Sequence, residues 1–393
     1  MDPISNPYTP GAGVRPYELV GRGEFIDGFD VALQRSGLRL AARSKILYGL
    51  RGVGKTVLLQ EFVEHARRRK WLVIEMEART GQSLMSVLVG QIFQELRDAG
   101  RTWSGETLTW VRRVFKAFSL TADPSTGTYS FEVDLEPASG HADSGDPDRD
   151  LPEMLGELVS LAGHHGVGLL LAIDELQEVD GPTLSSLNTT IHRMGQGPEP
   201  SPFLFVGAGL PSLRRILSEA TSYTERLFEY WQIGPLSDDA IRAALKGPTT
   251  AHGVRWDPEA LDAGVEFCRG YPYFAQVLGQ RAWDVAEGTP IARDAVAEAI
   301  RYAGRDIDAG LYAARWQRAT RGEQRFMQAM ADSGGGPVLM SELVTALGRD
   351  RPAQLSPTRN QLISKGLVYA PDRGEVDFTV PGMAEFVKRQ EVL

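Results

Sequence analysis

Gly49-Leu50-Arg51-Gly52-Val53-Gly54-Lys55-Thr56 satisfies every fixed position of the pattern G-x-x-x-x-G-K-[ST]. The apolar run Lys45-Ile46-Leu47-Tyr48 before it reads as a buried strand. Val57-Leu58-Leu59-Gln60-Glu61-Phe62-Val63 after it has the apolar spacing of a helix. That strand–loop–helix setting separates a phosphate loop from a chance glycine-rich turn. Gly49, Gly52 and Gly54 let the backbone bend so that successive N–H groups face an anion at the positive end of a helix, with Val53 and Val57 completing the lining. Lys55 is placed for the β- and γ-phosphates and the Thr56 hydroxyl for Mg²⁺. The stretch predicts a bound nucleoside triphosphate.

A second motif turns binding toward hydrolysis. Gly168-Leu169-Leu170-Leu171-Ala172-Ile173 is an unbroken apolar run of strand length, as expected of a central parallel strand, and it ends in Asp174-Glu175. Acids at the carboxyl end of a strand sit where open α/β sheets bind ligands. Asp174 is therefore expected in the Mg²⁺ shell, in the manner of a Walker B acid, and Glu175 is placed to polarise the attacking water. Two acids capping the following turn is the alternative; the loop upstream favours the catalytic assignment.

Composition bounds the rest. The 393 residues carry 42 basic and 51 acidic side chains, a net charge of −9, so no global field attracts nucleic acid or anionic lipid. A single cysteine, Cys268, excludes a disulfide framework and a cysteine-rich zinc site. Residues 1–17 are rich in Pro, Gly and Asn and lack a basic start with an apolar core, so they read as a flexible segment and not as a signal peptide. The longest apolar runs are of strand length, which predicts a cytoplasmic protein with no membrane partner.

Residues 18–235 alternate strands and helices, the pattern of an α/β doubly wound parallel sheet. Strands are expected at Lys45–Tyr48, Trp71–Met76, Gly168–Ile173, Phe203–Val206 and Glu229–Ile233, with helices at 24–35, 55–69, 82–99, 151–164, 183–193 and 211–219. Between about 100 and 150, alternating apolar residues around Asp123–Gly127 predict a hairpin, followed by an acidic, loop-like stretch over 139–150. Residues 236–310 read as a small all-helical domain, a lid. From 318 to 393, three short helices and a hairpin over 367–380 predict a winged helix-turn-helix.

At this point the chain resembles AAA+ ATPases of the branch shared by STAND signalling proteins and archaeal-type, initiator-like ATPases with a C-terminal winged helix. Besides the two motifs above, the resemblance rests on Leu19-Val20-Gly21-Arg22, similar to the family's adenine-side motif, and on Val206-Gly207-Ala208-Gly209-Leu210-Pro211 after the fourth strand. It rests also on Glu225-Arg226-Leu227-Phe228 before the fifth strand and on Gly270-Tyr271-Pro272 in the helical domain. The resemblance implies that Val20 and Gly21 meet the adenine edge. It gives Arg22 either a charge role or an anchoring one. Arg226 is then either an arginine finger, in cis or across a subunit boundary, or one half of a structural ion pair. Pro272 either packs on the nucleotide or simply starts a helix. In two places the chain departs from the family: Gly207-Ala208-Gly209 offers only backbone where many relatives place a polar side chain, and the lid holds no clear second-sensor arginine, Arg269 being the nearest.

The resulting expectation is an Mg²⁺-dependent P-loop ATPase using Lys55, Glu175 and Arg226, with ATP and ADP as ligands and slow, switch-like turnover. Its output is a conformational or oligomerisation switch read through lid and winged helix by a homo-oligomer neighbour or another partner. The alternatives are a nucleotide-gated DNA-binding module and a STAND-type scaffold. Residues 318–393 hold ten basic and nine acidic side chains, so double-stranded DNA and a protein partner both stay open. On the recognition helix Arg359, Asn360, Gln361 and Lys365 are the groups suited to DNA, with Arg373 at the wing tip.

Overall fold

The fold was analysed on a computed structural model, which describes residues 1–391 except 12, 83, 85, 86, 89, 93, 94, 96–146, 165, 197–199 and 335. Its centre is a parallel sheet of five described strands, β1 (Ser44–Tyr48), β2 (Leu72–Glu77), β3 (Leu169–Asp174), β4 (Phe203–Gly209) and β5 (Phe228–Gln232), in the order β2-β3-β4-β1-β5. Parallel strands are covered on both faces, which is why β1, β3 and β4 read as nearly continuous apolar runs. The pleat divides those runs. Ile46, Ile74, Leu171 and Phe205 join Leu155, Leu158, Leu187, Ile191 and Leu213 in one core. These helix residues come from α3 (Pro147–His164), α4 (Gly181–Met194) and α5 (Leu213–Ala220). On α1 (Gly23–Gly37) and α2 (Lys55–Arg68), Phe29 stacks on Phe62 with ring centroids 4.2 Å apart, and both helices pack against β4. A short helix, α6 (Thr224–Leu227), leads into β5.

The observed strands and helices reproduce the predicted ones with shifts of a residue or two at most ends. The hairpin predicted around Asp123–Gly127 lies outside the described residues, as does most of the helix expected at 82–99. The loop-like stretch is described only from residue 147, where it is already helix: Pro147 occupies the first position of α3, a place where a missing N–H costs nothing.

The contacts divide the chain into two units. One is Gly23–Tyr48 with Lys55–Gln232, the sheet and its helices. The other is Met1–Arg22, Gly49–Gly54 and Ile233–Leu393. In this second unit, α7 (Asp238–Ala251), α8 (Pro258–Cys268), α9 (Pro272–Val285) and α10 (Arg293–Ile307) form a helical bundle, and α11 (Ala313–Arg318) follows a π-helical turn. Next come α12 (Arg321–Asp332), β6 (Val338–Leu339), α13 (Met340–Ala346), α14 (Ser356–Ser364), β7 (Val368–Tyr369), β8 (Glu375–Phe378) and α15 (Met383–Lys388). The three short strands pair antiparallel in the order β6-β8-β7. Glu323 and Thr320 form a capping box at the start of α12, and Lys365 Nζ lies 2.6 Å from Glu323 Oε2.

The first residues correct the expectation of a flexible segment. Tyr8 is buried and its hydroxyl donates to the Leu245 carbonyl, while Asn6 Nδ2 donates to Asp284 Oδ1 at 2.9 Å. Gly279 makes this possible, because a Cβ there would stand 2.3 Å from the Tyr8 ring. Proline and glycine content predicted looseness; one inserted aromatic side chain overrides it.

Candidate active site

In the sheet unit, β1 delivers the chain to Lys55 and Thr56 at the start of α2, and β3 ends on Asp174. The Thr56 hydroxyl donates to Asp174 Oδ2 at 2.6 Å, so two residues 118 positions apart meet. Asp174 Oδ1 also accepts the Glu175 N–H at 2.8 Å. Burial pushes the Asp174 carboxyl above its ordinary value; the Thr56 and Glu175 hydrogen bonds oppose this, as does the charge of Lys55. A hydroxyl and a partly desolvated carboxylate in contact are hard oxygen donors of the kind Mg²⁺ takes, so this pair fits that ion. Among the described residues there is no cluster of three or more His, Cys, Asp and Glu suited to a metal. Mg²⁺ would thus rely on these two side chains together with the nucleotide's own oxygens.

Glu175 adopts φ 48° and ψ 39°, the left-handed region, which for a residue other than glycine costs on the order of 1–3 kcal/mol. Gln177, two residues on, donates from Nε2 to Glu175 Oε2, while its Oε1 accepts the Leu210 N–H at 3.0 Å. At the end of β4 a Cβ on Gly209 would stand 2.4 Å from Gln177 Oε1, and one on Gly207 would stand 2.6 Å from Leu176 Cδ2.

In the other unit, the glycines of the loop are required by geometry. Gly52 and Gly54 have φ of 82° and 92°, and a Cβ on Gly49 would fall 2.1 Å from the Ile233 carbonyl oxygen. Arg22 is buried, and its guanidinium donates to the Val53 carbonyl at 3.0 Å and to the Gly234 carbonyl at 2.6 Å. Gly21, at φ 69°, turns the preceding chain against Ala240 and Leu236. Pro272 opens α9, and the buried Tyr271 before it lies against the loop, 3.6 Å from where a Cβ on Gly52 would be.

These two motifs occur in a stretch that matches a known family: residues 18–206 match the one described as AAA ATPase domain. Residues 309–387 match a second family, described as a domain of unknown function (DUF8462). Among curated proteins, the Holliday junction branch migration complex subunit RuvB of Synechococcus sp. (strain CC9605) is 29% identical over 186 residues, 44% of this chain. The match spans about half of that relative, 48% of its length. Among solved structures, a Walker-type ATPase of Pyrococcus abyssi is similar with a TM-score of 0.63 at 15% identity, over 95% of this chain and 97% of the other. The ORC2 protein of Aeropyrum pernix, solved as ADPNP–ADP complexes, is similar with a TM-score of 0.59 at 16% identity, over 96% and 95%. At such identities the likeness is one of fold.

In the sheet unit the structure brings Lys55, Thr56, Asp174 and Glu175 together and keeps Arg226 apart. Arg226 is exposed on α6, where β5 begins, and β5 runs parallel to β1 with Phe228 beside Ser44 and Gln232 beside Tyr48. The loop follows the other end of β1, about 16 Å away for a strand of this length. Arg226 thus lies toward the amino ends of the strands, whereas Asp174 and Glu175 lie at the carboxyl end of β3. No ion pair of Arg226 occurs among the described residues, so the structural-pair alternative finds no partner. It lines a groove of about 540 Å³ with Leu40, Arg43, His192 and Tyr223. Arg269, the nearest second-sensor candidate, instead pairs with Glu385 at 3.1 Å. Sequence reading did not single out Gln177, and it took Tyr271 only as part of the Gly270-Tyr271-Pro272 stretch. For Gln177 the available signal was a polar residue two after the second acid, paired with a Gly-x-Gly at the end of the next strand.

Proposed function

We propose that this chain binds ATP with Mg²⁺ and hydrolyses it slowly, using the cycle as a conformational or oligomerisation switch. The observation that carries the reading is the 2.6 Å contact of Thr56 with Asp174 beside the buried Lys55. Lys55 is in place to hold the phosphates as the glycine-rich peptide wraps them. Mg²⁺, held by Thr56 and Asp174, would neutralise the charge between the β- and γ-phosphates. Glu175 accepts the proton of the attacking water. Val20, Gly21 and Pro272 belong to the adenine side. Arg226 completes the reading when a second copy presents it, since in its own chain it lies at the amino end of β5, away from Asp174 and Glu175.

The readout we assign to the lid and the C-terminal region draws support from contacts inside the second unit. Arg51 of the loop abuts Gly366, where an added Cβ would lie 2.8 Å from its Nε, and Tyr271 abuts Gly52. The segment from α12 to β8 has the element order of a winged helix-turn-helix. For DNA, α14 exposes Asn360 and Gln361 and the wing turn exposes Arg373. Lys365 is committed elsewhere, donating to Glu323 and to the Arg318 carbonyl, and Arg359 is half-buried. That favours a protein partner for this surface over double-stranded DNA. Among the described residues no helix is long and apolar enough to cross a membrane, which is compatible with the cytoplasmic site of action we assign.

The test is steady-state ATP hydrolysis by wild type and Glu175→Gln, with Mg²⁺ or EDTA and with or without duplex DNA. Turnover that needs both Glu175 and Mg²⁺ and ignores DNA is expected. Turnover in EDTA would overturn the metal assignment, and normal turnover in Glu175→Gln would overturn the base. Strong stimulation by DNA would promote the DNA-gated reading.

A further inference from the structure

We infer that Gln177 is a positioning residue for hydrolysis: its side-chain amide ties the Glu175 carboxylate to the carboxyl end of β4. The inference rests on the reading of Glu175 as the base and goes beyond it, by naming what aims that carboxylate.

Three contacts carry the argument. Gln177 Nε2 donates to Glu175 Oε2, and more weakly to Glu178 Oε1 at 3.4 Å. Gln177 Oε1 accepts from the Leu210 N–H at 3.0 Å. Gly209 leaves the space the amide occupies, because any side chain there would begin 2.4 Å from Oε1. The chemistry fixes which way the amide points. A backbone N–H can only donate and a carboxylate can only accept, so oxygen must face Leu210 and nitrogen must face Glu175. Its close substitutes do not do both jobs at this reach: an ionised glutamate cannot donate, leucine and methionine have no N–H, and asparagine is one methylene short.

The location gives the tie its purpose. β4 lies between β1, which leads into the phosphate loop, and β3, which ends on Asp174. The end of β4, Gly207, Ala208 and Gly209, supplies no polar side chain of its own. Gln177 brings a neutral amide into that position from the neighbouring turn. Glu175 also sits in the left-handed region, a strained backbone that persists only where surrounding contacts hold it.

The experiment compares Gln177→Leu, Gly209→Ala and the double variant with wild type and Glu175→Gln. Each is measured for kcat, KM for ATP, and the affinity of a fluorescent ATP analogue. Loss of aim should lower kcat about tenfold, a fraction of the 10²–10⁴ that a placed base supplies, with KM and nucleotide affinity within about twofold. Gly209→Ala should mimic Gln177→Leu although Gln177 itself is unchanged, and the double variant should lose no more than either single one. A readout without nucleotide is the side-chain amide resonance of Gln177, assigned by its disappearance in Gln177→Leu; it should shift in Glu175→Ala. Wild-type kcat in Gln177→Leu while Glu175→Gln is inactive overturns the proposal, as do losses that multiply in the double variant. Normal turnover in Glu175→Gln would instead remove the base assignment, and the resonance then decides the tie separately: no shift in Glu175→Ala overturns it.

Discussion

The two edges of the parallel sheet are built on opposite terms. At the carboxyl edge, every group with chemistry is held: Thr56 by Asp174, Glu175 by Gln177, and Gln177 by the Leu210 N–H. Glycines there are fixed by contacts a methyl group would break. At the amino edge, Arg226 stands exposed beside an open groove, and Leu38 and Leu40 are exposed as well. An edge that must position atoms before reaction is locked from within. An edge that leaves a charge and apolar side chains in solvent is not held in the same way.

That contrast can be broken most severely at Lys55. Lys55→Ala should weaken ATP binding by about 100-fold or more, roughly 2.7 kcal/mol, measured by titration calorimetry. Unchanged affinity would mean the locked edge is not the phosphate site. Next in size is Arg226→Ala. It should leave ATP affinity intact while lowering kcat by about 10³-fold, the low end for arginine fingers, at protein concentrations where the chain assembles. Mixing Arg226→Ala with Glu175→Gln should restore part of the activity, since each supplies what the other lacks. A loss independent of concentration, with no rescue on mixing, would erase the distinction between the edges.

The smallest effect concerns stability outside the sheet. Burial pushes the Glu323 carboxyl up, but the hydrogen bonds from Lys365 and from Thr320 outweigh it and hold the group below its ordinary 4.5. A carboxyl lowered by folding stabilises the fold above its unfolded value and loses that contribution as pH falls through its folded one. The C-terminal region should therefore weaken as pH drops below about 4.5. Glu323→Gln should cost about 1–3 kcal/mol near neutral pH and flatten that dependence, as followed by thermal melting across pH.

Sequence reading located the locked edge well because its constraints are local. The glycines of 49–54 and the strand-terminal acids at 174 and 175 are each dictated by a few neighbours along the chain. What it missed depends on partners distant in sequence. Tyr8 fits only because Gly279 makes room, and Gln177 only because Gly209 does. Arg22 was legible as a residue that matters, but its partners, the Val53 and Gly234 carbonyls, are backbone atoms that no side-chain pattern reveals. Lys365 looked available for DNA because the capping glutamate that engages it lies 42 positions earlier.

The strand order has a further consequence, for synthesis. β1 pairs only with β4 and β5, and neither begins before Phe203. As the chain leaves the ribosome at about 5–20 residues per second, β1 waits on the order of ten seconds for its first neighbour. β2 and β3, by contrast, pair with each other before either partner of β1 exists. The phosphate loop hangs from that unpaired strand, so the nascent chain gains its ligand late, and ATP can stabilise this protein only after most of the sheet is complete.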